Sequence, residues 1–286
     1  MKLAILFIIL IIIYVLLGIR VIHEACHRKN NTKTIKDEYI NDYQSFDKEE
    51  LTITSFDGLK LKGLLFKNDS NKLVICVHGY HSYNTNAYMP YLSFYQNLGF
   101  NVLMIDLRAH GDSEGKYIGF GWLDRLDLVK WIEYMKDYEI VLHGISMGGS
   151  TVLNTAGENI NNVKCIISDC AFTSVYDQFK HLGKTRRKEM YPFLPIANLL
   201  SKTIVGYNFK EASSLKQVSK TNIPILFIHG KEDTYVPTSH VYQLYDACSS
   251  SQELLIVEGA KHANSYQTNK ALLEEKISSF LQNNMK

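Results

Sequence analysis

The apolar positions of this chain begin with one continuous run and then recur as short, separated runs. Leu3–Ile19 contains no charged residue, and as a helix it rises about 25 Å, close to the thickness of a hydrocarbon core. Lys2 and Arg20 flank the run and suit the polar surfaces of a bilayer. We therefore predict a single-pass membrane anchor over residues 1–22. A cleaved signal peptide is the alternative, but the residues that follow lack a convincing small-residue cleavage site.

The charges on the two sides of the anchor bear on its orientation. Lys2 and the amino terminus precede the apolar run, and the basic residues that follow it are Arg20, Arg28, Lys29 and Lys33. Because basic residues favour the cytoplasmic side, this bias places the following domain in the cytoplasm. The tail before the run is very short, so the side of the membrane stays open.

Beyond the anchor the pattern changes twice. Positions 23–50 are polar and charged and predict a stalk, and a folded domain is expected over 51–286. Leu51–Phe56 and Leu59–Phe66 alternate apolar and polar residues on either side of Asp57-Gly58. Alternation across an Asp-Gly pair is typical of a β-hairpin.

Short apolar runs follow the hairpin, at 73–78, 101–106, 140–144, 163–169, 223–230 and 253–258. Continuous Val, Ile and Leu runs of this length are typical of strands buried on both faces. Helix-compatible segments lie between most of them, and this alternation predicts an α/β fold with a mostly parallel sheet and helices on both faces. About fifty residues separate the fourth run from the fifth, far more than an ordinary connection, so this interval is expected to be a helical insertion.

Composition excludes several classes of protein. The 286 residues are 46% hydrophobic and 21% charged, with a net charge of +2. These values are typical of a globular protein and give no support to nucleic-acid binding. Five cysteines without a CxxC pair argue against a disulfide framework or a zinc site. We expect no metal and no organic cofactor.

A candidate nucleophile lies between the third apolar run and a helix-compatible segment. Residues 144–148 read GISMG, which matches GxSxG with Ser146 at its centre. The motif places its serine on a sharp turn from strand to helix, where Gly144 and Gly148 avoid collisions across the turn. An oxyanion hole in this arrangement needs two backbone N–H groups. One is expected from Met147, and the other from Tyr80, in the loop after the first run.

Two further residues complete a candidate triad. Asp233 follows the fifth run and His262 follows the sixth, and both positions lie where sites form at the carboxyl ends of parallel strands. The chain order Ser, Asp, His is the one that this strand-to-helix motif predicts. Other residues remain candidates for the same roles: His229 and His110 for the base, and Asp169 and Glu232 for the acid.

Several segments together carry a family resemblance: 78–83 (HGYHSY), 106–115 (DLRAHGDSEG), 144–149 (GISMGG), 168–174 (SDCAFTS), 229–237 (HGKEDTYVP) and 259–266 (GAKHANSY). The chain resembles membrane-anchored bacterial α/β-hydrolases related to serine aminopeptidase-like and prolyl-oligopeptidase-like enzymes, over residues 51 to the C-terminus. The resemblance implies that His110 shapes the wall of the site and that 171–222 is a cap over the pocket.

The expected activity is hydrolysis of a carboxylic ester, including a lipid ester, through an acyl-enzyme on Ser146. Peptide or amide hydrolysis and acyl transfer use the same triad and remain alternatives. A non-catalytic binding protein on a hydrolase fold is the alternative of another class. The expected partners are a small-molecule ester, lipid or peptide substrate and the membrane, with no nucleic acid.

One basic stretch has two interpretations. Lys180–Lys188 contains two arginines and three lysines. It either meets anionic lipid headgroups or an acidic substrate beside the membrane, or it is the solvated face of a helix.

Overall fold

The sheet organises the domain. The computed structural model describes residues 1–29, 33–158 and 160–285. The strands within these residues are β1 (Lys48–Thr54), β2 (Lys60–Phe66), β3 (Lys72–Val77), β4 (Asn101–Ile105), β5 (Glu139–Ile145), β6 (Val163–Asp169), β7 (Ile225–Gly230) and β8 (Gln252–Val257). In the described part of the chain they form one sheet in the order β1-β2-β4-β3-β5-β6-β7-β8. Pairing is antiparallel from β1 to β4 and parallel from β4 to β8.

Helices cover the sheet and extend from it. They are α1 (Lys2–Cys26), α2 (Ile40–Ser45), α3 (Asn84–Asn97), α4 (Asp124–Tyr134), α5 (Met147–Ala156), α6 (Val175–Thr185), α7 (Leu194–Val205), α8 (Ser214–Val218), α9 (Ser239–Ala247), α10 (Ser265–Thr268) and α11 (Lys270–Asn284).

The core lies on both faces of the sheet. In β3, Leu73, Ile75 and Val77 belong to one buried cluster and Val74 and Cys76 belong to another. Successive side chains of a strand point to opposite faces, so a strand covered by helices on both sides must be apolar at every position. The predicted α/β fold, with a mostly parallel sheet and helices on both faces, is confirmed.

The apolar N-terminal run forms α1, which is long and apolar enough to cross a membrane by length and composition. The helix continues to Cys26, past the predicted limit of the anchor at residue 22. Its second half packs on α7 at Gly18, where an added Cβ would lie 2.5 Å from Cγ2 of Ile196. The absence of a side chain at this position lets the two helices approach closely.

The segment predicted as a stalk, 23–50, lies against the domain where the structure describes it. The Arg28 guanidinium donates to the carbonyls of Ser113 and Gly111 at 2.5 and 2.7 Å. Lys33 forms an ion pair of 2.5 Å with the buried carboxylate of Asp106. The last residues of the segment belong to β1. Its polar residues therefore make contacts with the domain, which composition cannot distinguish from contacts with water.

The long interval between β6 and β7 contains α6, a 3₁₀ turn at Tyr191–Phe193, α7 and α8. The expected helical insertion is therefore present. Its second half packs against the N-terminal helix as well as the domain: the Tyr14 hydroxyl donates to the carbonyl of Pro192 at 3.2 Å.

Candidate active site

Ser146 lies on the turn between β5 and α5. Its backbone has φ 59° and ψ −116°, a conformation that non-glycine residues rarely adopt. The turn is tight: an added Cβ would lie 2.1 Å from the carbonyl oxygen of Gly148 if placed on Gly144, and 1.8 Å from that of Val77 if placed on Gly148. Both glycines are therefore required sterically for the serine to occupy this position.

The structure brings together the three side chains that the sequence proposed as a triad. Ser146 Oγ lies 2.9 Å from Nε2 of His262, and His262 Nδ1 lies 2.7 Å from Oδ2 of Asp233. Asp233 follows β7 and His262 follows β8, so both reach the site from the carboxyl ends of parallel strands. The other carboxylate oxygen of Asp233 accepts the N–H groups of Tyr235 and Val236 at 2.8 and 2.9 Å.

The surroundings of Asp233 keep it ionised. Burial by itself would raise the pKa of this carboxyl. The interactions with His229 and His262 and the N–H group of Val236 outweigh burial and hold the pKa of Asp233 well below its usual value. The carboxylate is therefore negatively charged at neutral pH, next to the imidazole of His262.

Tyr80 and Met147, the candidate oxyanion residues, line the same pocket as Ser146. The chain before Tyr80 passes close to the serine, because an added Cβ on Gly79 would lie 3.3 Å from Cβ of Ser146. Met147 is the first residue of α5, where backbone N–H groups lack partners within the helix and the helix dipole favours negative charge. The backbone of both residues thus lies beside the serine.

The other candidates from the sequence have different surroundings. His110 is buried beside His78, with ring centroids 5.0 Å apart. Glu232 is exposed. Asp169 accepts a hydrogen bond of 3.2 Å from the Ser265 hydroxyl, and burial raises its pKa to about 6.

His229 lies next to Asp233, a position that was not predicted from the sequence. Its Nε2 is 3.3 Å from Oδ2 of Asp233 and donates to the carbonyl of Val236 at 2.9 Å. The sequence signal was its position at the end of a strand, four residues before Asp233. That spacing does not indicate whether its ring turns toward the site.

One group of potential metal donors lies in the same place. Side-chain donor atoms of Cys170, Asp233 and His262 lie within 4.8 Å of one another. A metal ion bound by them would compete with the hydrogen bond between Asp233 and His262, which already orients the imidazole.

The pocket above Ser146 has a volume of about 300 Å³. Three parts of the chain form its walls: the end of α1, the segment from α6 to the start of α7, and the loops at the carboxyl ends of the strands. The contribution of α1 to the pocket was not predicted from the sequence. The signal was an apolar stripe that continues beyond Arg20, at Val21, Ile22, Ala25 and Cys26.

Comparison with known proteins agrees with this architecture. The chain is 33% identical to the Bacillus subtilis protein YqkD over 270 residues, which cover 90% of this chain and 88% of that protein. A Pyrococcus furiosus esterase has a similar structure, with a TM-score of 0.71 and 26% identity, covering 91% of this chain and 99% of that one. The lysophosphatidylserine lipase ABHD12 of Danio rerio is 26% identical over 163 residues, 55% of this chain and 42% of that protein.

A family model described as the prolyl oligopeptidase family matches residues 86–286, more than half of the chain. Together with the sheet order and the esterase structure, this match confirms the resemblance to α/β-hydrolases and the expectation of an enzyme. The chain is a hydrolase that belongs to the prolyl oligopeptidase family.

Proposed function

We propose that the chain is a serine hydrolase that cleaves carboxylic esters through an acyl-enzyme on Ser146. The observation that carries the proposal is the continuous hydrogen-bonded series from the Ser146 hydroxyl through the His262 imidazole to the Asp233 carboxylate. A serine in contact with a base, and a base oriented by a carboxylate, is the arrangement that activates a hydroxyl nucleophile.

The geometry supports a two-step reaction. His262 Nε2 accepts the proton of Ser146 as Oγ attacks the ester carbonyl, and the N–H groups of Tyr80 and Met147 stabilise the oxyanion that forms. His262 then donates its proton to the departing alcohol, which leaves the acyl group on Ser146. A water molecule, deprotonated by His262, releases the acid and restores the serine. Asp233 orients the imidazole and stabilises its positive charge throughout.

Ester chemistry is preferred over the alternatives because of the relatives and the pocket. A P. furiosus esterase and a lysophosphatidylserine lipase are among the similar proteins, and mostly apolar side chains line the pocket. The prolyl oligopeptidase family match favours peptide hydrolysis as the second candidate. The same triad supports both reactions, so the choice of leaving group depends on the pocket.

We also propose a division of the chain. Residues 1–22 anchor it in a membrane, 23–50 connect the anchor to the body, and 51–286 form the hydrolase domain with 171–222 as its cap. The length and composition of α1 support the anchor, and the position of α6 and the start of α7 on the pocket wall supports the cap.

The test uses the full chain in detergent, with Ser146→Ala as its partner. A fluorophosphonate probe should label the wild type and not the variant, and p-nitrophenyl esters should be hydrolysed by the wild type alone. Aminoacyl p-nitroanilides, run in parallel, measure amide hydrolysis. Turnover of anilides without turnover of esters would replace the esterase with a peptidase. Folded wild type that neither reacts with the probe nor turns over either substrate would exclude the serine mechanism.

A further inference from the structure

The N-terminal helix contributes a wall to the pocket. Val21, Glu24 and Ala25 of α1 line the cavity that holds Ser146, as do Phe179 and Leu182 of α6. A helix that only tethered the domain to a membrane would not need to line the pocket that holds the nucleophile. The end of α1 is therefore part of the site itself.

Contacts on both sides hold the helix in this position. On the cap side, Glu24 forms an ion pair of 2.6 Å with Arg187. On the body side, the Tyr80 hydroxyl donates to the carbonyl of Ala25 at 2.8 Å, and Ile118 N–H donates to the carbonyl of Cys26 at 2.7 Å. The wall that α1 supplies is thus attached both to the cap and to the loop that contains Tyr80.

Both α1 and the neighbouring α7 carry exposed apolar side chains. Leu16 and Ile19 on α1 are exposed, and Leu199 on the neighbouring α7 is 70% exposed. Exposed apolar side chains on two helices that pack on each other suit the hydrocarbon region of a bilayer. Residues of α1 and Leu194 at the start of α7 also line the pocket, so an α1 that anchors the chain as proposed would hold the pocket close to the bilayer.

Basic side chains line the same pocket. Arg186 lines the pocket, where it donates to the Thr234 hydroxyl at 3.2 Å and lies over the Tyr235 ring. No carboxylate of the described residues forms an ion pair with Arg186, whereas Arg187 pairs with Glu24 and Glu189. The exposed side chain of Lys29 lines the same cavity. An anionic group bound here would meet a guanidinium whose charge is not neutralised.

Taken together, these contacts indicate the substrate class, given the serine esterase proposed above. We propose that the substrate is a membrane-resident long-chain ester with an anionic head, whose acyl chain lies between α1 and the cap. Val21 and Ala25 contact the chain, and Arg186 binds the anionic head beside Ser146. The end of α1 therefore determines acyl-chain selectivity.

The first test changes the volume of the α1 wall. Ala25→Trp in the full chain narrows the acyl pocket, and Ile13→Trp, on the exposed part of the same helix, is the matched control. We expect Ala25→Trp to lower the ratio of kcat/KM for a p-nitrophenyl dodecanoate to that for the butyrate at least tenfold. The control should leave the ratio within twofold of wild type. An unchanged ratio in Ala25→Trp, with both esters still hydrolysed, would exclude α1 as an acyl-chain wall.

The second test addresses the head. Arg186→Glu is compared with Lys188→Glu, an exposed basic neighbour that does not line the pocket. Substrates are lysophosphatidylglycerol and lysophosphatidylcholine in detergent micelles. Arg186→Glu should lower the preference for the anionic lipid at least fivefold, and Lys188→Glu should change it less than twofold. Equal effects of the two variants would show that the preference comes from general surface charge and not from Arg186. A wild type that prefers the zwitterionic lipid would contradict the proposal of an anionic head group.

These outcomes separate the two proposals. If the fluorophosphonate probe does not label the folded wild type, the serine mechanism itself is excluded. The other outcome is that the wild type is labelled and hydrolyses esters while the variants show unchanged chain-length and head-group preferences. That result would exclude only the proposed membrane substrate and would leave the serine mechanism in place.

Discussion

The hydroxyl of Tyr80 donates a hydrogen bond of 2.8 Å to the backbone carbonyl of Ala25. One partner belongs to the loop beside the nucleophile and the other to the last turn of the N-terminal helix. The bond joins the part of the chain that is apolar enough to enter a membrane to the part proposed to stabilise the reaction's negative charge.

Tyr80→Phe tests this connection. The substitution removes the hydroxyl and leaves the backbone N–H in place, so the Ala25 carbonyl loses a partner at a cost of about 1 kcal/mol in the free energy of unfolding. We expect a lower thermal midpoint and a decrease in kcat of a few fold. Tyr134→Phe, at an exposed phenol, should change neither. Wild-type stability and kcat in Tyr80→Phe would show that the bond is dispensable.

Asp233→Asn tests the acid. The amide is neutral and cannot stabilise a protonated His262, so kcat for an ester should fall by about 10³-fold or more while KM changes little. Glu232→Gln, the exposed neighbour, should retain wild-type kcat. Comparable loss in the two variants would remove Asp233 from its proposed role. The measurement is kcat and KM for a p-nitrophenyl ester, determined on both purified variants.

The buried carboxyl of Asp124 makes the free energy of unfolding depend on pH. Burial raises the pKa of this carboxyl to about 7, so between its ordinary value and pH 7 the folded state binds more protons than the unfolded state. The contribution of Asp124 to the free energy of unfolding therefore falls as the pH rises through this window, by an amount on the order of a few kcal/mol. Asp124→Asn should remove this contribution, so in denaturant titrations from pH 4 to 7.5 the free energy of unfolding of the variant should increase relative to that of the wild type as the pH rises. Asp137→Asn, at an exposed position, should differ from the wild type by a constant amount, and a difference between Asp124→Asn and the wild type that does not vary with pH would contradict the prediction.

Gly18→Leu tests the packing of α1 on α7. A side chain at this position overlaps Ile196, and overpacking of this kind costs about 1–3 kcal/mol unless the helices separate. We expect a lower midpoint for thermal unfolding in detergent, and a chain-length profile that broadens because the α1 wall moves outward. Leu16→Ala, on the exposed face of α1, is the control. A profile and midpoint identical to wild type would mean that α1 does not pack on α7 in detergent.

Local patterns in the sequence predicted most of the fold. The strand runs, the glycines around Ser146 and the positions of Asp233 and His262 after successive strands are all readable over a few residues, because burial on two faces and a tight turn demand particular residue types. Local sequence did not distinguish which aspartate acts as the acid of the candidate triad. Asp169 and Asp233 both follow strands, and only the packing of β7 against β8 places Asp233, not Asp169, beside Nδ1 of His262.

The sequence by itself determined the class of the domain, its strands and the residues able to form a triad. Tertiary structure alone decided that Ser146 and His262, 116 positions apart, lie 2.9 Å from each other. It also decided that α1 reaches the pocket and that the polar residues of 23–50 contact the domain. The physical reason is that side-chain periodicity reports which face of an element is buried, whereas the partner that buries it depends on contacts between distant parts of the chain.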